Sequence, residues 1–398
     1  MEGVSKVSGL SIKLPQLAAV WRTRLFLWPG LILIVTLSSF WAFQGQKLQD
    51  FGSFVAAARA QSAGENPYAP DLPLVFHVSL PALGVEVDSP NLNPPISLML
   101  FAPLSRLDPY TAVQAWRCLS LGLYLLALGL LVRYTPRPVS ALKVAWALSL
   151  AGLWNTIELG QIYMLLLLAC VVSWILLRAR HELLAGLGIG LLVAIKPNFI
   201  VWPLALALAG SRLAALASLA TAGLLSLLPV LIYGPPVYRE WLAATARYTA
   251  TSLGVPTNSS LAGLLAQFEL AGLGTLLGFL LLISLGLWIW RKRPGRLEAS
   301  ALALAAALLA SPVAWPGYTL LLLPVLFERN WKLPHFLVGI LLTVPVFIVL
   351  GMAQDSAAYH LSWNWVYGWA ILVFLAGELV ERWRLTGKAL NSAWQPAK

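Results

Sequence analysis

The sequence predicts an all-α polytopic membrane protein built as a single domain over residues 1–398. Hydrophobic residues make up 59% of the chain and charged residues only 11%, and a soluble domain could not bury so much apolar surface. The apolar runs recur from residue 25 almost to residue 380 and leave no stretch long enough for a soluble domain. They are continuous and mostly about 17 to 25 residues long, which is typical of membrane helices and not of the shorter alternating strands of a barrel.

The first apolar run, "LFLWPGLILIVTLSSFWAF", follows Lys13, Arg22 and Arg24 and has no small-residue cleavage site. We therefore expect a retained helix with a cytoplasmic N-terminus instead of a signal peptide. Continuing along the chain gives about twelve predicted spans, at 25–43, 109–132, 142–157, 162–178, 183–196, 198–210, 213–233, 263–290, 298–312, 317–327, 334–352 and 364–380.

Two interruptions fall within or between the predicted spans. One lies at Lys196-Pro197 in "AIKPNFIVW", where the proline removes a helical hydrogen bond, and the other lies in "SPVAWPGY". Unpaired backbone groups cannot face lipid, so broken helices of this kind usually line a cavity.

The charges favour an even number of spans with both termini in the cytoplasm. The predicted inside segments collect basic residues, namely Arg133, Arg137, Lys143, Arg178, Arg180, Arg212, Arg291, Lys292, Arg293, Arg296, Arg329, Lys332, Arg382, Arg384 and Lys388. The predicted outside segments hold most of the acids, namely Asp50, Glu65, Asp71, Glu86, Asp88, Asp108, Glu158, Glu240 and Asp355. The positive-inside rule thus explains the net charge of +11 without a nucleic-acid partner, and we expect a multi-pass protein of the plasma membrane.

Two predicted extracytoplasmic loops are long enough to hold structure of their own. The first, 44–108, contains a helical pattern at 50–63, a proline-rich stretch and the apolar piece "NPPISLMLFAPLSRL", which is too short to span a membrane. The second covers 234–262 and has a similar composition. We expect helices in these loops that lie on the outer membrane interface or dip into it.

The chain has no phosphate-cradling glycine loop, catalytic triad or metal-ligand spacing. Its four histidines are scattered, and Cys118 and Cys170 lie within apolar runs. We therefore expect no resident cofactor and no obligatory metal. The remaining polar residues converge on the predicted outer ends of the spans: Asp50, Asn93, Glu158, Gln161, Lys196 and Asn258, together with the break that contains Trp315 and Tyr318.

Each of these polar residues has a structural and a functional interpretation. Asp50 is either an interfacial carboxylate at a helix N-terminus or a general base that activates a sugar hydroxyl. Lys196 either snorkels from a helix end or has a phosphate partner, because a lysine at the centre of a membrane helix costs about 2.5–3.5 kcal/mol. Glu158 and Gln161 suit a solvated turn and a binding site equally, whereas the spacing around Asn258 favours a helix cap.

Six segments of the chain occur in the order typical of one enzyme family. They are "DFGSFVAAARAQSAGENPY" (50–68), "NPPISLMLFAPLSRLDPYTAVQAW" (93–116), "ELGQIYMLLLLA" (158–169), "AGLGIGLLVAIKPNFIVWPL" (185–204), "NSSLAGLL" (258–265) and "LLASPVAWPGYTLLLLPVL" (308–326). On these segments the chain resembles the polyprenyl-phosphate-dependent glycosyltransferases of family 87, within the GT-C superfamily.

The resemblance implies a helical GT-C fold, an active site on the extracytoplasmic face, a polyprenyl-phosphate sugar donor that usually carries mannose, and a lipid or glycan acceptor. It also implies that Asp50 is the catalytic base and that the sugar carbon is inverted. We accordingly assign Lys196, Asn198 and Gln161 to donor or phosphate binding. Contacts with the acceptor or the cavity wall are assigned to Glu158, Asn93, Asn258, Trp315 and Tyr318.

The chain departs from the family pattern at one place. Family members often carry a histidine pair after the Ser-Pro-x-x-Trp segment, where this chain has Pro316-Gly317-Tyr318. An alternative function is a secondary transporter or lipid-carrier flippase, for which broken helices and an intramembrane lysine are also reasonable. Such a protein usually places its polar groups near the midplane and often has repeated halves, so the clustering at one face favours the transferase. A scaffold protein would not explain Lys196.

Overall fold

The computed structural model describes residues 14–44, 48–70, 72, 79–80, 85–86 and 90–393. Helices form most of this part of the chain. The first eight are α1 (Leu14–Gln44), α2 (Gln49–Ser62), α3 (Ile96–Ser105), α4 (Pro109–Tyr134), α5 (Ala141–Leu148), α6 (Ala151–Leu159), α7 (Tyr163–Arg178) and α8 (Glu182–Ile195). The next six are α9 (Val201–Leu208), α10 (Arg212–Tyr233), α11 (Pro236–Ser252), α12 (Leu261–Ala266), α13 (Ala271–Lys292) and α14 (Arg296–Ala310).

The remaining elements complete the bundle. The last helices are α15 (Leu323–Glu328), α16 (Leu333–Leu341), α17 (Val346–Met352), α18 (Ala357–His360) and α19 (Val366–Ala393), and 3₁₀ helices cover Pro197–Ile200, Pro316–Leu322 and Trp363–Trp365. One small antiparallel ladder, β1 (Ser79–Leu80) with β2 (Val85–Glu86), pairs Ser79 with Glu86 and Leu80 with Val85. This ladder is an addition to the predicted all-α fold.

The helices follow the predicted spans, with more interruptions than the sequence predicts. The break at Lys196-Pro197 is confirmed, because Lys196 is extended (φ −136°, ψ 87°) as the residue before a proline prefers. Predicted span 142–157 is instead two helices, α5 and α6, and predicted span 263–290 is α12 and α13. The unwound backbone between α5 and α6 is satisfied from elsewhere in the bundle, since the amide of Ala151 donates to the carbonyl of Leu342 at 2.9 Å.

Four of the described helices are long and apolar enough to cross a membrane: α4, α10, α13 and the helix over Ala357–Arg382. The pair α16 and α17, bent by 75°, would make a fifth span. Large apolar side chains point outward from the bundle, for example Leu224 and Leu231 of α10, which are 67% and 71% exposed. The protein is therefore integral to a membrane, and the number of twelve spans stays a prediction.

Helix α14 lies at the centre of the bundle. Every residue from 299 to 309 is buried, and most of them are alanines. Small side chains let neighbouring helices approach closely, and α7, α9, α13 and α19 all pack against α14. Trp202 of α9 donates from Nε1 to Ser300 Oγ at 2.7 Å. Through α9 and the 3₁₀ helix Pro197–Ile200, this core contacts the segment that follows Lys196.

Helix α2 is packed against other helices on two faces, and its place at the outer membrane interface stays a prediction. Phe51 packs in the main core, whereas Ala57 on another face contacts a second cluster with Leu98 of α3 and with Val237 and Ala244 of α11. The sequence pattern of α2 shows an apolar face but not that α3 and α11 cover the rest. The enclosure fixes the position of Asp50 at the start of α2.

Candidate functional site

The first turn of α2 and the loop between α6 and α7 meet at Asp50. The side chain is half-buried, and the positive end of the helix dipole favours a negative charge there. Gln161 donates a hydrogen bond from Nε2 to Asp50 Oδ2 at 2.7 Å. A charge-assisted hydrogen bond of this length restricts the carboxylate to one orientation. The predicted base and one of the predicted donor-binding residues are therefore in direct contact.

Gly160 allows this contact. It ends α6 in the left-handed conformation (φ 68°, ψ 35°), and a Cβ at this position would lie 2.5 Å from Phe51 Cβ. Trp116 fixes the turn by donating from Nε1 to the Gly160 carbonyl at 2.8 Å. A glycine here thus lets the chain approach α2 closely enough for Gln161 to reach Asp50.

Lys196 lies over two tyrosine rings. Its Nζ is 5.6 Å from the centroid of Tyr163 and 5.4 Å from that of Tyr318, and the two centroids are 4.5 Å apart. We call Lys196, Tyr163 and Tyr318 the tyrosine cage. Each ring contributes about 0.5–2 kcal/mol by cation–π attraction, which is comparable to the cost of placing a lysine among apolar groups. The rings stabilise the ammonium group without neutralising its charge.

The cage has two features that suit an anionic ligand. Among the described residues, no carboxylate forms an ion pair with Lys196. Asn198 lies two positions further along the chain, and its buried Nδ2 has no hydrogen-bond acceptor within the described part of the chain. A buried donor normally has a partner. A phosphate group would pair with both side chains, because it accepts several hydrogen bonds and carries a negative charge.

Gly317 makes room for the tyrosine cage. A Cβ at this position would lie 2.1 Å from Tyr163 Cδ2 and 2.9 Å from Thr156 Oγ1. A histidine at 317 therefore could not coexist with the present position of the Tyr163 ring. The segment Pro316-Gly317-Tyr318, at which the chain departs from the pattern with a histidine pair, supplies a tyrosine and the space for another.

Two further residues approach Asp50 and its neighbours. Burial raises the pKa of the Tyr248 hydroxyl, a hydrogen bond with Ser252 opposes this, and the negative charge of Asp50 raises it again. Tyr248 on α11 thus stays a neutral group near the carboxylate. On the other side, Trp41 of α1 donates from Nε1 to Oε1 of the buried Glu158 at 3.0 Å. Glu158 and Gln161 belong to the same short turn, so α1, α2, α6 and α11 converge there.

The chain was compared with known protein families, with curated proteins and with solved structures. The model of glycosyltransferase family 87 matches residues 91–324, which is more than half of the chain. The chain belongs to glycosyltransferase family 87. No curated protein and no solved structure matched it. The matched region contains Gln161, Lys196, Asn198 and Tyr318, whereas Asp50 precedes it.

Membership of this family makes the protein a membrane glycosyltransferase, which uses a sugar donor and an acceptor. The other predicted site residues of this transferase have different surroundings. Asn93 contacts Asn91 Oδ1 through its amide and the Tyr68 hydroxyl through its carbonyl, and its own Oδ1 is buried without a partner among the described residues. Trp315 is half-buried, and its carbonyl accepts from the Tyr318 amide at 3.0 Å.

Asn258 of the transferase makes hydrogen bonds to the surrounding backbone, and its assignment to the acceptor or cavity wall stays a prediction. Its Nδ2 donates to the carbonyls of Leu253 and Pro312, and its Oδ1 accepts from the amides of Ser260 and Ala314. These four bonds use the whole hydrogen-bonding capacity of an asparagine amide, and the residue is fully buried. The helix cap predicted near Asn258 is provided by Ser260, whose Oγ accepts from the Gly263 amide at 2.9 Å.

Sequence reasoning did not identify Tyr163 as a cage residue or Trp41 as the partner of Glu158. Tyr163 stands in an apolar run, but it is the second residue after Gln161 and begins α7, so its place next to a polar turn was the available signal. Trp41 gives no comparable signal, because its partner is 117 positions away. The described residues hold no group of three or more His, Cys, Asp or Glu side chains that could bind a metal ion.

Proposed function

We propose that this protein transfers mannose from a polyprenyl-phosphate donor to a lipid or glycan acceptor on the extracytoplasmic face of the plasma membrane, with Asp50 as the general base. The observation that carries the proposal is the proximity of two chemistries. At one end of the short segment 161–163, Gln161 binds the carboxylate of Asp50. At its other end, Lys196, which has no carboxylate partner among the described residues, lies over the ring of Tyr163.

The proposed reaction is a single displacement. Asp50 accepts the proton of an acceptor hydroxyl while the oxygen of that hydroxyl attacks the anomeric carbon. The bond between that carbon and the phosphate oxygen breaks, and polyprenyl phosphate leaves with the bonding electrons. Attack from the face opposite the leaving group inverts the anomeric carbon. No metal is required by this scheme, because the donor already carries a phosphate leaving group.

Lys196 and Asn198 would bind that phosphate. The donor is a phosphodiester with one negative charge, and the departing monoester gains a second one. Lys196 therefore interacts more strongly with the leaving phosphate than with the intact donor, which is the condition for accelerating the chemical step. The buried Nδ2 of Asn198 offers the donated hydrogen bond. Gln161 contacts Asp50 instead, so we assign it to orienting the base.

The direct test is a transfer assay with purified protein. Polyprenyl-phosphate [³H]mannose is incubated with the protein and a lipid extract of its source organism, and labelled products are separated by chromatography. Parallel reactions use polyprenyl-phosphate arabinose or glucose. The proposal expects transfer from the mannose donor in an Asp50-dependent manner. Movement of intact donor across a proteoliposome bilayer, with no transfer from any of the three donors, would establish the flippase alternative instead.

A further inference from the structure

A cavity of about 700 Å³ lies at the opposite end of the bundle from the tyrosine cage. Helix α7 has 16 residues between Tyr163 and Arg178, and α8 has 14 residues between Glu182 and Ile195, just before Lys196. These lengths separate the two ends by about 20–25 Å. The cavity lies among the α7–α8, α9–α10 and α13–α14 loops, the end of α15 and the middle of α19. We call it the arginine pocket, because six arginines and five glutamates line it.

The five carboxylates of the arginine pocket are all paired. Four of them form ion pairs with pocket arginines: Glu328 with Arg178, Glu182 with Arg296, Glu378 with Arg329 and Glu298 with Arg382. The fifth, Glu381, pairs with Lys332. Arg180 and Arg293 are left, and neither forms an ion pair with a carboxylate of the described chain. The pocket therefore presents two guanidinium groups whose charge is not compensated there.

Three helices begin at the wall of the arginine pocket. Their starts are marked by Glu182 of α8, Ser211 before α10 and Gly295 before α14, and all three residues line the cavity. None of the three N-caps, His181, Ser211 and Gly295, makes a side-chain capping hydrogen bond. The first amides of a helix lack partners within the helix and carry partial positive charge. Glu182 and Glu298 occupy the first turns of α8 and α14 and are paired with pocket arginines, and the free amides at all three helix ends still favour an anion.

An independent feature of the pocket also points to a ligand. Trp174 lines the cavity and is 2% exposed, and its indole Nε1 has no hydrogen-bond acceptor among the described residues. An indole nitrogen can only donate, so a water molecule or a ligand oxygen next to it would supply the acceptor that this buried group lacks. Neither the ion pairs nor the helix ends supply one.

We propose that the arginine pocket binds a phosphate group. Phosphate offers the acceptor that Trp174 lacks, the negative charge that Arg180 and Arg293 attract, and enough oxygens to engage the uncapped helix ends. The group comes either from an anionic lipid headgroup at this membrane face or from a soluble phosphate. The site is separate from the proposed transfer reaction, and its occupancy is measured by binding and not by transfer.

The test measures thermal unfolding of the purified full chain in detergent. Sodium phosphate is titrated against sodium chloride of equal ionic strength, and dioleoyl phosphatidic acid against dioleoyl phosphatidylcholine in mixed micelles. Phosphate or phosphatidic acid should raise Tm in a saturable manner, since a ligand that binds only the native state stabilises it. Saturation by phosphatidic acid alone identifies a lipid headgroup as the source, and saturation by both identifies any phosphate. No saturable rise with either overturns the proposal.

Substitutions at the two arginines separate this pocket from the tyrosine cage. Arg180 and Arg293 have φ of 64° and 46°, so asparagine, which tolerates this conformation, removes the charge without adding strain. Arg180→Asn/Arg293→Asn should require at least about tenfold more ligand for half of the Tm rise. The control Arg137→Asn/Arg291→Asn removes two exposed arginines that do not line the pocket, and it should respond like the wild type.

Trp174→Phe tests the same proposal through the unpaired donor. Without ligand, this variant gains stability by losing a buried donor that has no acceptor and loses stability through the smaller ring, so its ligand affinity and not its Tm is the readout. Its ligand affinity should fall several-fold. A wild-type titration in both Trp174→Phe and Arg180→Asn/Arg293→Asn would overturn the proposal, even if the wild type itself binds phosphate elsewhere.

Discussion

The tyrosine cage and the arginine pocket hold positive charge at the two ends of α7 and α8 in different ways. In the cage, one lysine rests on two aromatic rings, and no described carboxylate pairs with it. In the pocket, four of the six arginines are neutralised by glutamates from other helices. Aromatic rings stabilise a cation and leave its charge available to a ligand, whereas an ion pair uses that charge to hold helices together.

The difference predicts that substitutions at the cage end reduce activity and that substitutions of paired residues at the pocket end reduce stability. Four variants test this division. They are ordered by the free energy that each change is expected to involve.

Asp50→Ala should have the largest effect on transfer. Loss of a general base lowers kcat by about 10²–10⁴-fold, because no other group would accept the acceptor proton at the same position. The measurement is the initial rate of mannose transfer at saturating donor. Glu65→Gln is the matched control, since Glu65 is an exposed acid that follows α2 in the same chain segment. Equal rates for Asp50→Ala and the wild type would refute the assignment of the base.

Glu378→Ala should have the largest effect on stability. Its carboxylate is 1% exposed, pairs with Arg329 and lies 3.5 Å from His335 Nε2. Removing this carboxylate leaves Arg329 without its partner, and we expect the free energy of unfolding to fall by about 3 kcal/mol. This value is at the low end for buried ion pairs because Arg329 is partly exposed. Thermal unfolding in detergent measures this loss.

The control for Glu378→Ala lies one turn further along the same helix. Glu381 pairs with Lys332, whose side chain is 57% exposed, so Glu381→Ala should cost less than about 1 kcal/mol. Both variants should transfer mannose at the wild-type rate per folded molecule. A large loss of transfer with unchanged stability in Glu378→Ala would place catalytic function at the pocket end and break the proposed division.

Lys196→Met should raise the donor KM and lower kcat, so that kcat/KM falls roughly tenfold or more. The reason is that both the donor phosphate and the leaving phosphate lose a charged partner. Lys196→Arg keeps the charge and the stacking on tyrosine rings and should retain most activity. Donor binding to the purified variants separates the two effects. If Lys196→Met binds donor and reacts normally, Lys196 is a structural lysine that the rings merely accommodate.

Gln161→Leu should give the smallest of these effects. Gln161 donates to Asp50 and so favours the charged carboxylate that the base requires. Without this bond, the acidic limb of the pH–rate profile should move to higher pH, and the rate at neutral pH should fall several-fold. Gln161→Glu, which places a second carboxylate beside Asp50, should move the limb further in the same direction. An unchanged limb in both variants would show that Gln161 does not orient the base.

The sequence predicts the parts of the site that depend on local rules. Proline after Lys196 predicts the broken helix, and the cost of a lysine in an apolar run predicts that this residue has a stabilising partner. The sequence does not predict that the rings of Tyr163 and Tyr318 are this partner, because the two tyrosines come from segments 155 positions apart in an apolar background.

The hydrogen bonds of Asn258 and the ion pairs of the arginine pocket cannot be predicted from the sequence, for the same physical reason. An asparagine near a helix start is compatible with a cap, a ligand contact or a structural tie, and only its four backbone partners decide between them. Similarly, the arginines of the pocket follow the positive-inside pattern, which describes charge but not pairing. Which of them are neutralised depends on glutamates brought in from other helices.

The central claim is that Asp50 performs the chemical step at the cage end, and a single-turnover experiment on Asp50→Asn tests it most directly. This variant keeps the shape of the side chain and can bind polyprenyl-phosphate [³H]mannose before excess acceptor is added. We predict that Asp50→Asn binds the donor with wild-type affinity and transfers the bound mannose at least about a hundredfold more slowly. Transfer of the bound mannose at the wild-type rate would contradict the account.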